Sequence, residues 1–244
     1  MSAVTKSPPI SVALASCDGE RWIGAQVESI LSQLGPHDEL VVADASSTDR
    51  TLEILAGFAD PRIRILRNLP RGDIPGTFER ALGECGGDIL FLSDQDDVWL
   101  PGKVDLCRGT LDRTGASLVL HDARIVDESG RVLDESFLDE RRFRPGFFRN
   151  FWKPGYLGCA LAFRRDLLSR ALPFPANLPM HDWWLGLLAE RQGGVEVIRS
   201  PLILHRRHDG NANFPPGKSP FGLARRLEFR LRMAQALLAR SRSR

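Results

Sequence analysis

The chain has 244 residues, 43% hydrophobic and 26% charged, which is enough apolar material for one substantial core. A net charge of +2 argues against a dedicated nucleic-acid binder, although residues 221–244 carry seven Arg against one Glu. No apolar run is long enough to span a bilayer, and residues 1–9 lack the charged-then-apolar order of a signal peptide. Cys17, Cys85, Cys107 and Cys159 are widely spaced with no Cys-x-x-Cys pair, the pattern of reduced thiols rather than a zinc site. A cytoplasmic protein is therefore expected.

In chain order, residues 10–15 form an apolar run of strand length, broken by Ser16-Cys17-Asp18-Gly19. Trp22, Ile23, Val27, Ile30, Leu31 and Leu34 then recur at helical spacing until Gly35-Pro36 stops the helix. Residues 39–43 read as a second strand and 44–49 as a polar loop. A helix follows from Thr51, with Asp49 or Thr48 as its cap. A third strand, 63–66, enters a loop containing Gly72, and a helix over 76–85 is closed by Gly86-Gly87. Residues 88–92 make the fourth strand. Strands that are apolar throughout, each followed by a helix, predict a parallel sheet covered on both faces. Ligands of such sheets collect at the carboxyl ends of the strands, and Ser16, Asp18, Asp44 and the stretch 94–97 fall there.

The second half is less regular. Residues 117–121 read as a strand leading into Asp122, and the turn 127–130 predicts a hairpin into 131–133. Residues 141–153 are aromatic and basic. A short buried strand is expected over 158–163, a helix over 165–172, and another helix from Met180 to about Arg191. Two short strands, 195–198 and 202–204, run into His205-Arg206-Arg207-His208. Residues 213–220, with three prolines and a glycine, are linker-like. On the helix expected over 221–244, Phe221, Leu223, Leu227, Leu231, Ala234 and Leu238 recur among arginines. That tail fits two readings: a basic amphipathic helix on anionic lipid, or a helix packed on the domain or on a partner.

The stretch Phe91-Leu92-Ser93-Asp94-Gln95-Asp96-Asp97-Val98-Trp99 turns a buried strand abruptly into three carboxylates. Crowded, desolvated carboxylates are costly unless a cation or a polar ligand offsets them, and hard divalent cations take such oxygens. Taken alone, the stretch also fits an Asp-rich solvated turn.

Five segments in order give the chain a resemblance to the GT-A-fold, family 2 inverting glycosyltransferases, nearest to their rhamnosyltransferase-like branch. They are residues 10–19, Asp44-Ala45-Ser46-Ser47-Thr48-Asp49, residues 93–99, His181-Asp182-Trp183-Trp184, and Arg206-Arg207-His208 with Gly210-Asn211. The resemblance implies one GT-A domain over 1–212: a nucleotide-sugar-binding half (1–100), an acceptor and catalytic half (101–212), then a linker and basic helix over 213–244. It implies a Rossmann-like, mostly parallel sheet with flanking helices, and a Mg²⁺ or Mn²⁺ cofactor.

By the same resemblance, Asp96 and His208 are metal ligands, and Asp94 lies nearer the donor's ribose and sugar. Arg206 holds the diphosphate, while Ser16, Asp18 and Asp44 line the base pocket. Asp182 is the base that activates the acceptor hydroxyl. His181 contacts the acceptor, and Trp183 and Trp184 either pack in the core or stack on an acceptor sugar. Read from the residues alone, Asp97 is a candidate cap for the helix starting near Pro101, Arg71 is a loop arginine that is either solvated or in reach of the donor, with the solvated reading favoured, and His121-Asp122 is a structural strand end. Two positions depart from the family's pattern: Cys17 stands where a Tyr is common, and Ala45 where a second Asp is. Both bear on base recognition rather than on the metal.

The implied reaction moves a sugar from a nucleotide-diphosphate donor, dTDP-rhamnose first and a UDP-sugar second, to a saccharide or lipid-linked saccharide. Peripheral membrane contact through 221–244 would suit such an acceptor. A non-catalytic nucleotide-sugar-binding protein of the same fold is the alternative. An Asp-x-Asp phosphatase would carry the acidic pair after the first strand, and a nucleotidyltransferase a Gly- and Arg-rich loop there. Neither pattern is present.

Overall fold

The computed structural model describes residues 9–208 and 221–242; the expected linker and Gly210-Asn211 lie outside them. The first half is a run of strand–helix units: β1 (Ile10–Ser16), α1 (Ile23–Leu31), β2 (Glu39–Asp44), α2 (Thr51–Gly57), β3 (Ile63–Leu66), α3 (Ile74–Glu84) and β4 (Ile89–Asp94). β3, β2, β1 and β4 lie side by side in that order, all parallel. Ile10, Val12 and Leu14 in β1 and Ile89 to Leu92 in β4 are fully buried. That is the signature of strands covered on both faces. Gly87 makes this approach possible, because a Cβ there would sit 2.7 Å from the backbone of Ile10 and Ser11.

The second half adds β5 (Val98–Trp99), α4 (Lys103–Thr114), β6 (Leu118–Val126), β7 (Val132–Asp134), α5 (Phe137–Arg141), α6 (Phe147–Trp152), β8 (Leu161–Arg164), α7 (Arg165–Ala171), α8 (His181–Gln192), β9 (Val195–Arg206) and α9 (Leu223–Arg242). The sheet continues from β4 through β8, β6, β9 and β5, with β7 beside β6. β8 runs antiparallel to both β4 and β6, β6 and β9 are parallel, and β5 is antiparallel to β9. The fold is thus the GT-A-type α/β sheet with flanking helices, parallel in its donor half and mixed beyond it.

Several local expectations change. The strands expected at 195–198 and 202–204 are one strand, β9, because a register shift against β6 accommodates Pro201 and its missing N–H. A 3₁₀ turn, Gly158–Ala160, precedes β8. Asp97 caps nothing: α4 starts at Lys103 behind Gly102, whose φ of 83° suits glycine. At α2 the cap position is Arg50 rather than Asp49 or Thr48, although Asp49 one residue earlier accepts from the Thr51 N–H at 2.9 Å.

α8 is buried from His181 to Ala189, and the Trp183 and Trp184 indoles fill the space between α6, α7 and the sheet. Their N–H groups donate to the Asn150 and Ala171 carbonyls, at 2.9 and 3.2 Å. Burying one such ring contributes about 2–3 kcal/mol. Both tryptophans are therefore core residues, and the acceptor-stacking alternative does not hold for either. α9 packs on the domain through Met233, Ala236 and Leu237, and Arg240 donates to the Ala171, Leu172 and Pro173 carbonyls.

Candidate active site

β5 brings two distant segments together. Val98 pairs with Leu204 and Trp99 with Ile203, so the chain leaving β9 runs beside the chain leaving β4. Asp96 and His208 consequently meet: Asp96 Oδ2 lies 2.8 Å from His208 Nε2, across 112 positions of sequence. The His208 ring also stacks on Trp22, with centroids 4.3 Å apart. Asp97 faces the opposite way, into the protein. Its Oδ1 lies 2.9 Å from His205 Nδ1 and accepts from the Arg206 N–H at 3.1 Å.

The charges follow this geometry. Burial, with the Asp97 and Asp96 charges adding to it, pushes Asp94 up to about 8. Burial and the Asp97 charge raise Asp96. At Asp97 burial acts upward too, but the His205 charge and hydrogen bonds outweigh it and hold this carboxyl low. Burial likewise opposes the charged form of His205, and Asp97 overcomes it. No hydrogen bond from the described residues reaches the Asp94 side chain. Asp94 and Asp96 thus present hard carboxyl oxygens whose charged forms a cation would favour, and His208 a ring nitrogen beside Asp96. That donor set fits Mg²⁺ or Mn²⁺. Among the described residues, Asp97, Cys159 and His205 also bring ligand atoms within 4.8 Å of one another. There the shared His205 nitrogen is already used by Asp97, and the buried Lys103 ammonium sits on the Cys159 carbonyl at 2.8 Å, so the cluster is a polar brace under the loop.

Arg206 departs from its expected role. Its guanidinium donates to the Asp96, Asp127 and Glu128 carbonyls, at 3.0–3.1 Å, which spends it on holding the loop. Arg207 is likewise paired, with Glu140 at 2.8 Å.

At the donor end, Ser16 stands opposite Asp44 in the register and Ala15 opposite Asp94. The Asp44 carboxylate has no exposed surface and accepts from Ser16 Oγ (3.0 Å), the Ser47 N–H (2.9 Å) and Ser47 Oγ (2.5 Å). In this conformation Asp44 braces the loop, and direct acceptance from a base would require Ser47 to turn away. Asp18, at φ 47°, is exposed and gripped by Arg71 at 2.7 and 2.9 Å, which with the Thr48 N–H holds its carboxyl at about 2. Arg71 is thus an exposed loop arginine, as expected, that is also ion-paired along this pocket. Gln95 closes the floor, its amide exchanging two hydrogen bonds with the Cys17 backbone, at 2.8 and 3.0 Å.

Asp182 sits in the first turn of α8, 7% exposed, and burial pushes its carboxyl up to about 6. It accepts from the Trp183 N–H at 2.7 Å, so it satisfies the helix start as well. His181 stacks on Phe78 with centroids 4.2 Å apart, and burial lowers its ring to about 3, so it is neutral. His181 Nε2 is buried without a partner among the described residues, facing Gly158.

Residues 11–172 match the family described as glycosyl transferase family 2. The chain belongs to that family. Among curated relatives, it is 26% identical over 213 residues to the dTDP-rhamnosyl transferase RfbG of Shigella flexneri, covering 81% of this chain and 72% of that one. It is 24% identical over 197 residues to WfgD of Escherichia coli, a UDP-Glc:alpha-D-GlcNAc-diphosphoundecaprenol beta-1,3-glucosyltransferase, covering 80% and 74%. Among solved structures, S. aureus TarS 1-349 with UDP-GlcNAc superposes with a TM-score of 0.68 at 19% identity, over 85% of this chain and 62% of that one. The mannosyltransferase PcManGT from Pyrobaculum calidifontis, with GDP-Man and Mn²⁺, gives 0.62 at 19%, over 97% and 64%. The chain therefore spans under two thirds of the length of these solved structures.

In this family 2 chain, sequence reasoning missed Trp22 and Gln95 in the site, and His205 as the brace behind it. Trp22 was indistinguishable from the apolar face of α1, and the others are polar residues whose partners lie far along the chain.

Proposed function

We propose that this chain transfers a sugar, with inversion, from a nucleotide-diphosphate donor to a hydroxyl of a saccharide or lipid-linked saccharide. The observation that carries this reading is the Asp96–His208 contact of 2.8 Å at the strand ends, beside the uncompensated Asp94. Asp96 and His208 would hold the divalent ion, with Asp94 adjoining the donor. When bound, that ion would supply Lewis-acid neutralisation of charge on the departing diphosphate. Asp182 takes the acceptor hydroxyl's proton as its oxygen attacks the anomeric carbon, opposite the breaking carbon–diphosphate bond. A positioned base of this kind contributes about 10²–10⁴-fold. The value of about 6 at Asp182 leaves it ionised at neutral pH yet basic enough to serve.

The Asp18–Arg71 pair, Gln95 and Asp44 shape the base pocket; His181 faces the acceptor side. RfbG's name favours dTDP-rhamnose as donor and the UDP-sugars of WfgD and TarS stand second; WfgD's name favours a lipid-linked acceptor. Peripheral contact with the cytoplasmic membrane face through α9 fits that acceptor. Thermal stabilisation by a panel of nucleotide sugars, with and without Mn²⁺, tests the donor. Stabilisation by UDP-hexoses alone would remove dTDP-rhamnose. Cys17 and Ala45 favour a second reading, a non-catalytic nucleotide-sugar-binding protein; donor binding without turnover over a range of acceptors would establish it.

A further inference from the structure

α9 carries two apolar stripes, and only one of them is used. Met233, Ala236 and Leu237 face the domain. Leu223, Leu227, Leu231 and Leu238 are 70%, 48%, 64% and 62% exposed. At 3.6 residues per turn these leucines fall within about 80° of arc, roughly 130° from the inner stripe. Beside them α6 exposes Phe148 (78%) and Trp152 (59%), an i, i+4 pair on one face. Arg230 joins the two helices, donating to the Trp152 carbonyl with its guanidinium 5.8 Å from the Trp152 ring. Arg230 borders the leucine stripe on α9, and Arg149 on α6 and Lys153 just after it are exposed beside Phe148 and Trp152, while Arg225, Arg226 and Arg232 are exposed on other faces of α9.

We propose that α6 and α9 together form one membrane-docking face for an anionic bilayer. Exposed leucines with interfacial aromatic rings supply insertion, and the arginines supply attraction to anionic headgroups. The cationic rim distinguishes this face from a contact between two copies, in which those arginines would oppose one another. Its location suits the reaction. α6 is tied to the first turns of α8, where the Trp183 indole donates to the Asn150 carbonyl at 2.9 Å and Phe151 packs on the same ring at 6.2 Å. A bilayer under α6 and α9 thus lies on the Asp182 side of the molecule. The choice of bilayer rests on the lipid-linked acceptor reading; the surface itself does not.

The full chain is sedimented with phosphatidylcholine vesicles, with and without phosphatidylglycerol, and the Trp emission is followed. Binding only to the anionic vesicles, weakening as salt rises, with a blue shift lost in Trp152→Phe, is the expected result. Leu227→Glu/Leu231→Glu should lower the vesicle partition about tenfold or more, and Arg149→Glu/Lys153→Glu about as much. Both doubles alter exposed side chains, so their thermal melts and donor-dependent stabilisation should match the wild type. Loss of vesicle binding with donor binding intact separates this surface from the transfer reaction. The proposal is overturned if the wild type stays with the supernatant, if the leucine double binds as before, or if that double instead splits a dimer seen by light scattering.

Discussion

Replacing Asp182 with Asn should make the protein more stable and nearly inactive. Asp182 is 7% exposed and its carboxyl is raised by burial to about 6, against about 3.9 in an unfolded chain. The folded state therefore binds the proton more tightly than the unfolded state. Below the unfolded value both states are protonated and the site costs nothing; above about 6 the fold carries the full penalty of a buried anion. A shift of about two units at 1.36 kcal/mol each puts that penalty at about 3 kcal/mol. Asn keeps the oxygen that accepts from the Trp183 N–H and removes the charge. Scanning calorimetry at pH 8 should show Tm raised by about 6–12 °C, a gain that fades as pH falls from 6 toward 4. Wild-type turnover should rise through pH 6, and the variant should lose about 10²–10⁴-fold in kcat while still being stabilised by donor. A variant less stable than wild type at pH 8, or one retaining a tenth of its turnover, would refute the assignment of Asp182.

Three further outcomes follow from the neighbouring contacts. His208→Ala and Asp96→Asn should each weaken Mn²⁺-dependent stabilisation about tenfold or more, read as a shift in the Mn²⁺ titration midpoint. His205→Ala leaves the Asp97 carboxylate buried and unpaired and should cost about 3–5 kcal/mol in urea unfolding. Asp97 is held low and His205 is held high, so their contribution is fullest between the unfolded values of about 4 and 6.5. It declines as pH falls through the Asp97 value and as pH rises through the His205 value. Arg71→Ala removes an ion pair that is 45% and 37% exposed, so stability should change by under about 1 kcal/mol while KM for the donor rises.

Much of the donor half was legible in the sequence because its information is local. Continuous apolar strands, helical spacing and glycine stops suffice to order β1 to β4, and a parallel sheet puts Ser16, Asp44 and Asp94 at one end without further input. Pairing across long distances was not legible in the residues themselves, and only the family resemblance put His208 with Asp96. Nothing in the sequence says that Val98 meets Leu204, yet that two-residue strand brings His208 to Asp96. Arg206 illustrates the same limit. An arginine near a phosphate-binding loop reads as a ligand, but three backbone carbonyls claim it first. Trp183 and Trp184 mislead in another way, since an aromatic pair beside a catalytic carboxylate looks the same from sequence whether it faces a ligand or the core.

The three carboxylates of the acidic loop are distinguished by what stands behind each, not by their order. Asp97 is answered from inside at Oδ1, by His205 and the Arg206 N–H, while its buried Oδ2 has no hydrogen-bond partner among the described residues. Asp96 meets His208 at 2.8 Å, and burial with the Asp97 charge still raises it. Asp94 has no hydrogen bond from the described residues and is driven furthest from its ordinary value. Compensation thus falls off from the interior toward the strand end. A cation arriving there would offset the burial that raises Asp94 and Asp96, whereas the His205 charge already holds Asp97 low. The buried His205–Asp97 pair keeps that gradient in place. It fixes the end of β9 against the loop after β4, so His208 can approach Asp96 only when β9 is docked. Assembly of the proposed metal end and docking of β9 are therefore linked, and His205 joins them without facing the site.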